Sequence, residues 1–197
     1  MIALEALPTL VFALVMLAWI AFVVVFLARM KPPNAPASKR ERASIIGIVL
    51  QGASFGVVWS VRRHAFSAIV PLSKPLEIAL AVFTIAIAVG SVWFISTAIR
   101  TLGKQWSLGA RLIEGHKLVT EGPYQLVRNP IYTGMFGLLL ATGLAVSHWI
   151  GLAIAIVVYA IGTVIRVRSE EKLLRGAFGA EFDSYAGRVC AVIPFLF

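Results

Sequence analysis

Residues 131–165 form a run of 35 residues that contains no Asp, Glu, Lys or Arg. A helix needs about 20 apolar residues to cross the ~30 Å hydrocarbon core of a bilayer, so this run is too long for one ordinary span and fits two short ones. Ser147, His148 and Trp149 supply a turn, and a tryptophan suits a membrane interface. The run therefore predicts a membrane-spanning helical hairpin, in which His148 is a solvated turn residue and not a ligand.

Three further apolar segments precede the hairpin, at residues 9–28, 45–61 and 77–99. Neither a basic region before the first segment nor a small-residue cleavage site after it indicates a signal peptide, so it is expected to remain as a span. The chain is 59% hydrophobic, which exceeds what a soluble core of this size requires. We predict one all-α, polytopic membrane domain over residues 1–197, with five transmembrane helices and a cytosolic C-terminal segment. Four small residues of the second segment should let another helix approach closely: Gly47, Gly52, Ser54 and Gly56.

The net charge of +9 arises from 18 Lys and Arg residues that lie between the apolar segments. This is the pattern of loops held at an anionic cytoplasmic surface, and it makes nucleic acid a poor candidate partner. Arg62 and Arg63 follow the second segment, which weakens the pattern without reversing it. The N-terminus is therefore expected outside and the C-terminus in the cytoplasm, across what we expect to be a prokaryotic inner membrane. Residues 100–129 and 166–197 then share the cytoplasmic face and can form one site.

Two turn signals stand before the hairpin. Gly122-Pro123 and Asn129-Pro130 each interrupt regular structure, because the residue before a proline is pushed away from the α region. Pro130 suits the first turn of the next helix, with Asn129 as its N-cap. From these features alone, a loop followed by a capped membrane helix is as acceptable as a site, although the free N–H groups of such a helix start can receive an anion.

Arg166 and Glu170 are four residues apart, so they lie on one face if the last span continues as a helix. Arg166 there can hold an anionic group at the depth where the membrane ends. The alternative is a surface ion pair or a basic flank of the span, worth a few tenths of a kcal/mol. Glu171 is adjacent and points elsewhere on a helix, so the two glutamates are not predicted to act as a carboxylate pair.

Several kinds of site are not predicted, because the sequence lacks the motifs that mark them. No G-x-G-x-x-G follows a strand, and no H-E-x-x-H, cysteine pair or acidic cluster indicates a metal site. Cys190 is the single cysteine and cannot form an intramolecular disulfide. His64, His116 and His148 lie in three different loops, so no serine has an evident histidine and carboxylate pair. The sequence predicts neither a Rossmann nucleotide site nor a metal.

A set of motifs recurs in one order across the C-terminal half. They are Leu102-Gly103-Lys104-Gln105-Trp106-Ser107, His116-Lys117-Leu118-Val119-Thr120 with Gly122-Pro123-Tyr124, Val127-Arg128-Asn129-Pro130-Ile131-Tyr132 with Gly134, Glu170-Glu171, and Phe178-Gly179-x-Glu181-Phe182-x-x-Tyr185 with Pro194. In this respect the sequence resembles the isoprenylcysteine carboxyl methyltransferase family, and the related phospholipid methyltransferases share much of the pattern. The first two spans match only in hydropathy.

The resemblance implies an integral membrane enzyme that uses S-adenosylmethionine to methylate a lipid or lipidated small-molecule acceptor. Residues 100–197 would be the cofactor-binding catalytic half and residues 1–99 the three N-terminal spans. Arg166 matches the position that contacts the acceptor, and Arg166 and Glu170 are the implied catalytic residues. The implied cofactor-binding residues are His116, Lys117, Leu118, Val119, Tyr124, Asn129, Pro130, Ile131, Tyr132 and Glu170.

One departure from the family concerns the residue before Pro130. The family usually has histidine there, whereas this chain has Asn129, which keeps hydrogen-bonding capacity but does not titrate near neutral pH. Carboxyl O-methylation of an isoprenylcysteine-type substrate is the expected reaction, with N-methylation of a phosphatidylethanolamine-type lipid as the alternative. A small transporter is a further alternative, disfavoured because the two spans within residues 131–165 carry none of the acidic or basic groups that mark substrate pathways. A membrane scaffold without activity is the third.

Overall fold

The computed structural model describes residues 6–29, 37–40, 43–63, 67, 69, 73–106, 111–113, 115 and 117–193. The described chain is predominantly helical, with two short 3₁₀ turns at Gly103–Gln105 and Gly122–Gln125. The α-helices are α1 (Ala6–Arg29), α2 (Ala43–Ser60), α3 (Lys74–Leu102), α4 (Pro130–Val146), α5 (Trp149–Phe178) and α6 (Ala180–Ala186). The strands are β1 (Ala37–Arg40) and β2 (Arg111–Ile113).

Four of these helices, α1, α2, α3 and α5, are long and apolar enough to cross a membrane. Helix α4 is a shorter apolar helix of 17 residues, about 26 Å at 1.5 Å per residue. The hairpin therefore has one long arm and one short arm. Large apolar side chains also point outward along the bundle, where lipid would cover them, as Leu17, Val24 and Trp93 do on α1 and α3.

Helix α5 does not end where the charge-free run ends at Ile165. It continues without a break to Phe178 and stops at Gly179, whose φ of +50° lies in the region that favours glycine. Its 30 residues span roughly 45 Å, which is longer than a bilayer core. The charged third of α5 therefore extends beyond the apolar bundle, and Arg166 lies near the boundary, roughly 26 Å along the axis from Trp149.

The two strands were not predicted from the sequence. Strand β1 lies in the proline-containing connection between α1 and α2, where a regular helix was not expected, and it pairs antiparallel with β2, with Ala37 opposite Ile113. The pairing joins connections that are more than 70 residues apart in the chain. It thereby ties the loop before α2 to the loop before α4 at one end of the bundle, called here the site end.

Close helix crossings depend on a few glycines. A Cβ at Gly47 of α2 would lie 2.4 Å from Arg166 Cγ and 2.7 Å from the Gly162 carbonyl oxygen of α5. A Cβ at Gly134 of α4 would lie 2.4 Å from Ile95 Cγ1 of α3. The prediction that small residues of α2 let another helix approach closely is confirmed at Gly47. It is wrong at Gly52 and Gly56, where an added Cβ would have no neighbouring atom within 4 Å.

Arg63, a basic residue that did not fit the predicted charge pattern, lies at the opposite end of the bundle. The Arg63 guanidinium donates hydrogen bonds of 2.7–2.8 Å to the carbonyl oxygens of Leu144, Ala145 and Ser147. These carbonyls end α4 and have no partner within their own helix. Arg63 therefore stabilises the turn of the hairpin, and burial lowers the pKa of its guanidinium. The turn lies where the sequence predicted it, and His148 is the N-cap of α5, accepting from the Ile150 N–H at 3.3 Å.

Candidate active site

Three side chains predicted from the motifs meet at the site end between α4 and α5. The Tyr132 hydroxyl, in the first turn of α4, donates a short hydrogen bond to Glu170 Oε1. Arg166 Nη2 donates to the same oxygen at 3.4 Å, and the Arg166 guanidinium stands 4.8 Å from the centre of the Tyr132 ring. The three groups form a contiguous cluster, called here the Tyr-Arg-Glu cluster.

Arg166 is almost entirely buried, with 4% of its surface exposed. A buried cation is tolerated only where it is paired and hydrogen-bonded. Arg166 satisfies this condition through Glu170, the face of the Tyr132 ring and Gln51 Oε1 of α2, which accepts from Arg166 Nη1 at 3.3 Å. The exposed surface ion pair considered from the sequence does not describe this arrangement. The i,i+4 spacing instead places a charged pair inside the helix bundle.

The structure distinguishes the two adjacent glutamates. Glu170 faces Arg166 and Tyr132, whereas Glu171 accepts from Arg128 Nε and Nη2, both at 2.8 Å. A one-residue slip in matching the motifs would have exchanged them. Helix geometry separates neighbouring side chains by about 100°, and Glu170 alone reaches the cluster. Both carboxylates are paired with an arginine, but only Glu170 lies beside the residue matched to acceptor contact.

The segment before α4 and the tail after α5 are joined by a series of hydrogen bonds, called here the loop–tail contact. The N–H groups of Arg128 and Asn129 donate to the carbonyl oxygens of Cys190 and Ala191 at 2.8 and 2.9 Å. The Arg128 guanidinium also donates to Ala186 O and Val189 O. The expectation that these two stretches meet at one end of the bundle is therefore confirmed, over the described part of each.

Tyr124 and Tyr185 complete the loop–tail contact. The Tyr185 hydroxyl, in α6, donates to the Tyr124 carbonyl oxygen at 2.6 Å, and both rings are buried. Burial raises the pKa of the Tyr124 phenol well above its usual value, and the nearby Glu170 carboxylate raises it further. Burial likewise raises the pKa of Tyr185, to about 12. Both phenols are therefore neutral at physiological pH and act as hydrogen-bonding groups.

Asn129 occupies the N-cap position of α4, but its side chain does not cap the helix. Its Nδ2 instead donates to the Ala191 carbonyl oxygen at 3.0 Å, beside the bond from its own backbone N–H. Pro130 has no N–H, and the Tyr132 N–H donates to the Asn129 carbonyl oxygen at 3.1 Å. The prediction of Asn129 as the N-cap residue of α4 is therefore confirmed in position, although its side chain bonds to the tail. Two of the N–H groups expected to be free at this helix start, those of Tyr132 and Thr133, donate to the Asn129 carbonyl oxygen.

The remaining predicted residues lie around the cluster and not in it. Pro130 is buried, Ile131, Leu118 and Val119 are half-buried, and Lys117 is exposed, its backbone N–H donating to Gln105 Oε1 at 2.5 Å. His116 lies outside the described residues. Sequence reasoning missed Gln51, Thr163, Arg128 and Tyr159; the Tyr159 hydroxyl donates to the Tyr132 carbonyl oxygen at 2.8 Å. The sequence could have pointed to Gln51, because it is the one strongly polar side chain of its apolar segment.

Within the described parts of the chain, no three His, Cys, Asp or Glu residues come together as a potential metal site. The acidic groups near the cluster are paired with Arg166 and Arg128. The site can hold polar groups by hydrogen bonds and an anion by the Arg166 guanidinium.

Comparison with known proteins places these residues in a family context. Residues 78–181, over half of the chain, match the phospholipid methyltransferase family. Protein-S-isoprenylcysteine O-methyltransferase B of Arabidopsis thaliana is 37% identical over 103 residues, which cover 51% of this chain and 52% of that protein. Protein-S-isoprenylcysteine O-methyltransferase of Saccharomyces cerevisiae is 37% identical over 81 residues, 41% of this chain and 34% of the relative.

A third relative has a different description. The cobalt-zinc-cadmium resistance protein CzcN of Cupriavidus metallidurans is 36% identical over 108 residues, 51% of this chain and 46% of that protein. The chain thus spans about half the length of the curated relatives it matches. The matched family region contains Tyr124, Tyr132, Arg166 and Glu170, and it excludes Gln51.

Proposed function

The chain belongs to the phospholipid methyltransferase family, and on that premise we propose that it transfers a methyl group from S-adenosylmethionine to a membrane-borne lipid acceptor. The observation that carries the proposal is the Tyr-Arg-Glu cluster. It joins the start of α4 to the membrane boundary of α5, beside the loop–tail contact. A polar cofactor from the aqueous side and an acceptor retained in the bilayer would both reach such a position.

The cluster has a group suited to the cofactor. Glu170 Oε1 accepts from both Tyr132 and Arg166, while Oε2 accepts no hydrogen bond from the described residues, and 27% of the side chain is exposed. A carboxylate oxygen held in place with a vacant lone pair is suited to a ribose hydroxyl or an amino group. Glu170, Tyr132 and the neighbouring Tyr124 would therefore hold S-adenosylmethionine, with Asn129, Pro130, Ile131 and residues 116–119 beside it.

The bound cofactor supplies an electrophilic methyl group on a sulfonium, and transfer to the acceptor leaves S-adenosylhomocysteine. The protein contributes alignment, because an in-line displacement requires the two reacting atoms to be held close and on axis. Arg166 would position the acceptor by charge-assisted hydrogen bonds. The loop–tail contact would exclude water from the reacting groups. Arg166 and Glu170 are the residues to which we assign the catalytic roles.

Carboxyl O-methylation is the reaction that the cluster favours. A carboxylate acceptor is already a nucleophile and needs no base, and the buried Arg166 is suited to bind it. Methylation of an amine requires a group that accepts a proton, and both candidate carboxylates, Glu170 and Glu171, are already held in an ion pair with an arginine. The similarity to isoprenylcysteine O-methyltransferases points the same way. N-methylation of a phosphatidylethanolamine-type lipid is the alternative that the family description supports.

The orientation follows from charge. Most described basic residues lie at the site end: Arg29, Lys39, Arg40, Arg100, Lys104, Arg111, Lys117, Arg128, Arg166, Arg168, Lys172, Arg175 and Arg188. By the positive-inside rule, we propose that the site end and the C-terminus lie in the cytoplasm, with the N-terminus outside and α4 as a fifth, short span. A prokaryotic inner membrane is the membrane we propose for it.

Calorimetry with S-adenosylmethionine separates this proposal from a transporter or an inactive scaffold. The purified wild-type protein should bind the cofactor, and Tyr132→Ala and Glu170→Ala should each weaken binding. Arg168→Ala is the matched control, because Arg168 is an exposed residue of the same helix. No binding by the wild-type protein, or equal binding by all variants, would contradict the proposal.

Turnover identifies the acceptor. Incubation with labelled S-adenosylmethionine and a total lipid extract, followed by mass identification of the labelled product, distinguishes a methyl ester from a methylated amine. Arg166→Lys should lower turnover more than cofactor affinity, since a lysine keeps the charge but not the planar fork of donors. Equal loss of both quantities would assign Arg166 to the cofactor instead.

A further inference from the structure

We propose that Gln51, on a helix outside the matched family region, is a positioning residue that aims the Arg166 guanidinium at an anionic acceptor. The inference rests on the proposed function and adds to it a contribution from the N-terminal half. It assigns to α2 a part in acceptor binding, where the sequence indicated only a membrane span.

The hydrogen bonds of Gln51 leave its amide one orientation. Gln51 is 2% exposed, its Oε1 accepts from Arg166 Nη1 at 3.3 Å, and its Nε2 donates to Thr163 Oγ1 at 2.9 Å. A guanidinium can only donate, so the amide must present its oxygen to Arg166 and its nitrogen to Thr163. Thr163 therefore fixes the amide, and the amide fixes one side of the guanidinium.

The crossing of α2 and α5 makes this contact possible. The two helices approach at Gly47 and Gly162, where a Cβ at Gly47 would lie 2.4 Å from Arg166 Cγ. A Cβ at Gly162 would lie 3.1 Å from the Gln51 backbone nitrogen. The Arg166 stem thus lies against the bare backbone of α2, and its rotamer is restricted along its length.

The side chain at position 51 is a neutral amide, and its chemistry suits the orientation of a guanidinium. An apolar side chain would fill the space without the cost of desolvating an amide, and a carboxylate would neutralise Arg166 from this side. An amide holds the guanidinium by one hydrogen bond and adds no negative charge beside it. Glu170, by contrast, is bonded to Tyr132 as well and shares its Oε1 between the two donors. The arrangement is suited to a guanidinium that must be oriented and still attract a carboxylate.

Four variants test the inference, with N-acetyl-S-farnesylcysteine as the acceptor probe. Gln51→Met removes both hydrogen bonds with little change of volume. Thr163→Val removes the hydroxyl that orients the amide, whereas Thr163→Ser keeps a hydroxyl at this position. Gly52→Ala is the control on the same helix, because its Cβ would contact nothing within 4 Å. Initial rates at varied acceptor, calorimetry with S-adenosylmethionine and thermal unfolding in detergent are measured for each.

Gln51→Met should lower kcat/KM for the acceptor about tenfold, the effect of losing one hydrogen bond to a charged group. Thr163→Val should lower kcat/KM in the same direction, because the amide that holds Arg166 is no longer fixed. The cofactor Kd should stay within about twofold of the wild-type value, and Thr163→Ser and Gly52→Ala should match the wild-type protein. If Gln51→Met does not fold, the comparison of Thr163→Val with Thr163→Ser tests the inference.

Two results would overturn the inference while the proposed function stands. One is an unchanged kcat/KM in Thr163→Val, or a loss of cofactor affinity equal to the loss in kcat/KM. The other is a wild-type protein that methylates phosphatidylethanolamine and not the farnesylcysteine probe. A wild-type protein that binds no S-adenosylmethionine would instead contradict the proposed function itself.

Discussion

Replacing Arg128 by alanine should release the tail from the segment before α4. The Arg128 side chain is 14% exposed and makes four contacts: two to Glu171 Oε1, both at 2.8 Å, and one each to Ala186 O and Val189 O. Alanine leaves all three acceptors without this donor. Because these bonds close a contact between segments about 60 residues apart, their loss should act locally, on the tail.

The magnitude follows from the ion pair and the two carbonyls. Unit charges 2.8 Å apart attract by roughly 6 kcal/mol at an effective dielectric of about 20. Desolvation offsets about half of this, and breaking a largely buried charged network costs about 3 kcal/mol net. Since each 1.4 kcal/mol is a factor of ten, opening of the loop–tail contact should become about 100-fold more frequent.

Hydrogen exchange in detergent measures this opening. The informative amides are those of Arg128 and Asn129, which donate to the tail, and those of Arg188 and Val189, which donate to Tyr185 O. Protection there should fall about 100-fold in Arg128→Ala, while protection in the middle of α3 stays unchanged. Arg128→Lys should give an intermediate value, because lysine keeps the charge and loses the fork of donors.

Arg168→Ala serves as the matched control, since it removes an exposed arginine of α5 and should leave all four amides protected. A fall of less than about threefold in Arg128→Ala would refute the reasoning, because a surface ion pair contributes only ~0–1 kcal/mol. A uniform fall across the helices would also refute it, by showing that Arg128 supports the whole bundle and not the loop–tail contact.

Two further predictions concern packing and pH. Gly134→Ala should destabilise the protein by about 1–3 kcal/mol in thermal unfolding, since its Cβ would lie 2.4 Å from Ile95 Cγ1; Gly90→Ala, with nothing within 4 Å, should not, and equal effects would contradict the crossing geometry. The raised pKa of Tyr185 favours the neutral phenol in the folded state, so its contribution should be constant below pH 10 and be lost as pH rises toward about 12. Tyr185→Phe should abolish that loss in an alkaline titration of tail protection, and an unchanged titration would mean that another group controls it.

The helical architecture could be predicted from hydropathy and charge. Each apolar segment corresponds to a helix, and the charge-free run divides at Ser147–His148, between Val146 and Trp149. These features are local, because the length and composition of a segment decide whether it can cross a bilayer. Hydropathy did not show where α5 ends, because the helix continues through the charged residues after Ile165 to Phe178.

The candidate site was predictable in part. The motifs singled out Tyr132, Arg166 and Glu170, and helix periodicity placed the last two on one face. The choice between Glu170 and Glu171 depended on matching the motifs without a slip. In the structure, Tyr132, 38 residues away, donates a hydrogen bond to Glu170, the first of the pair. Asn129 was predicted as the N-cap of α4 and stands at that position, but its side chain donates to the tail and not to the helix.

Apolar helices with a basic, motif-bearing end are predictable from the chain alone, because segment length, hydropathy and spacing along a helix are properties of neighbouring residues. How Arg166 is held, by Gln51 at a separation of 115 residues, and how the tail is bonded to the segment before α4 became visible only in the folded bundle. Such long-range contacts depend on how closely two helices cross. At Gly47 and Gly162 that distance is set by the absence of side chains, and it brings an amide of α2 to a buried guanidinium of α5.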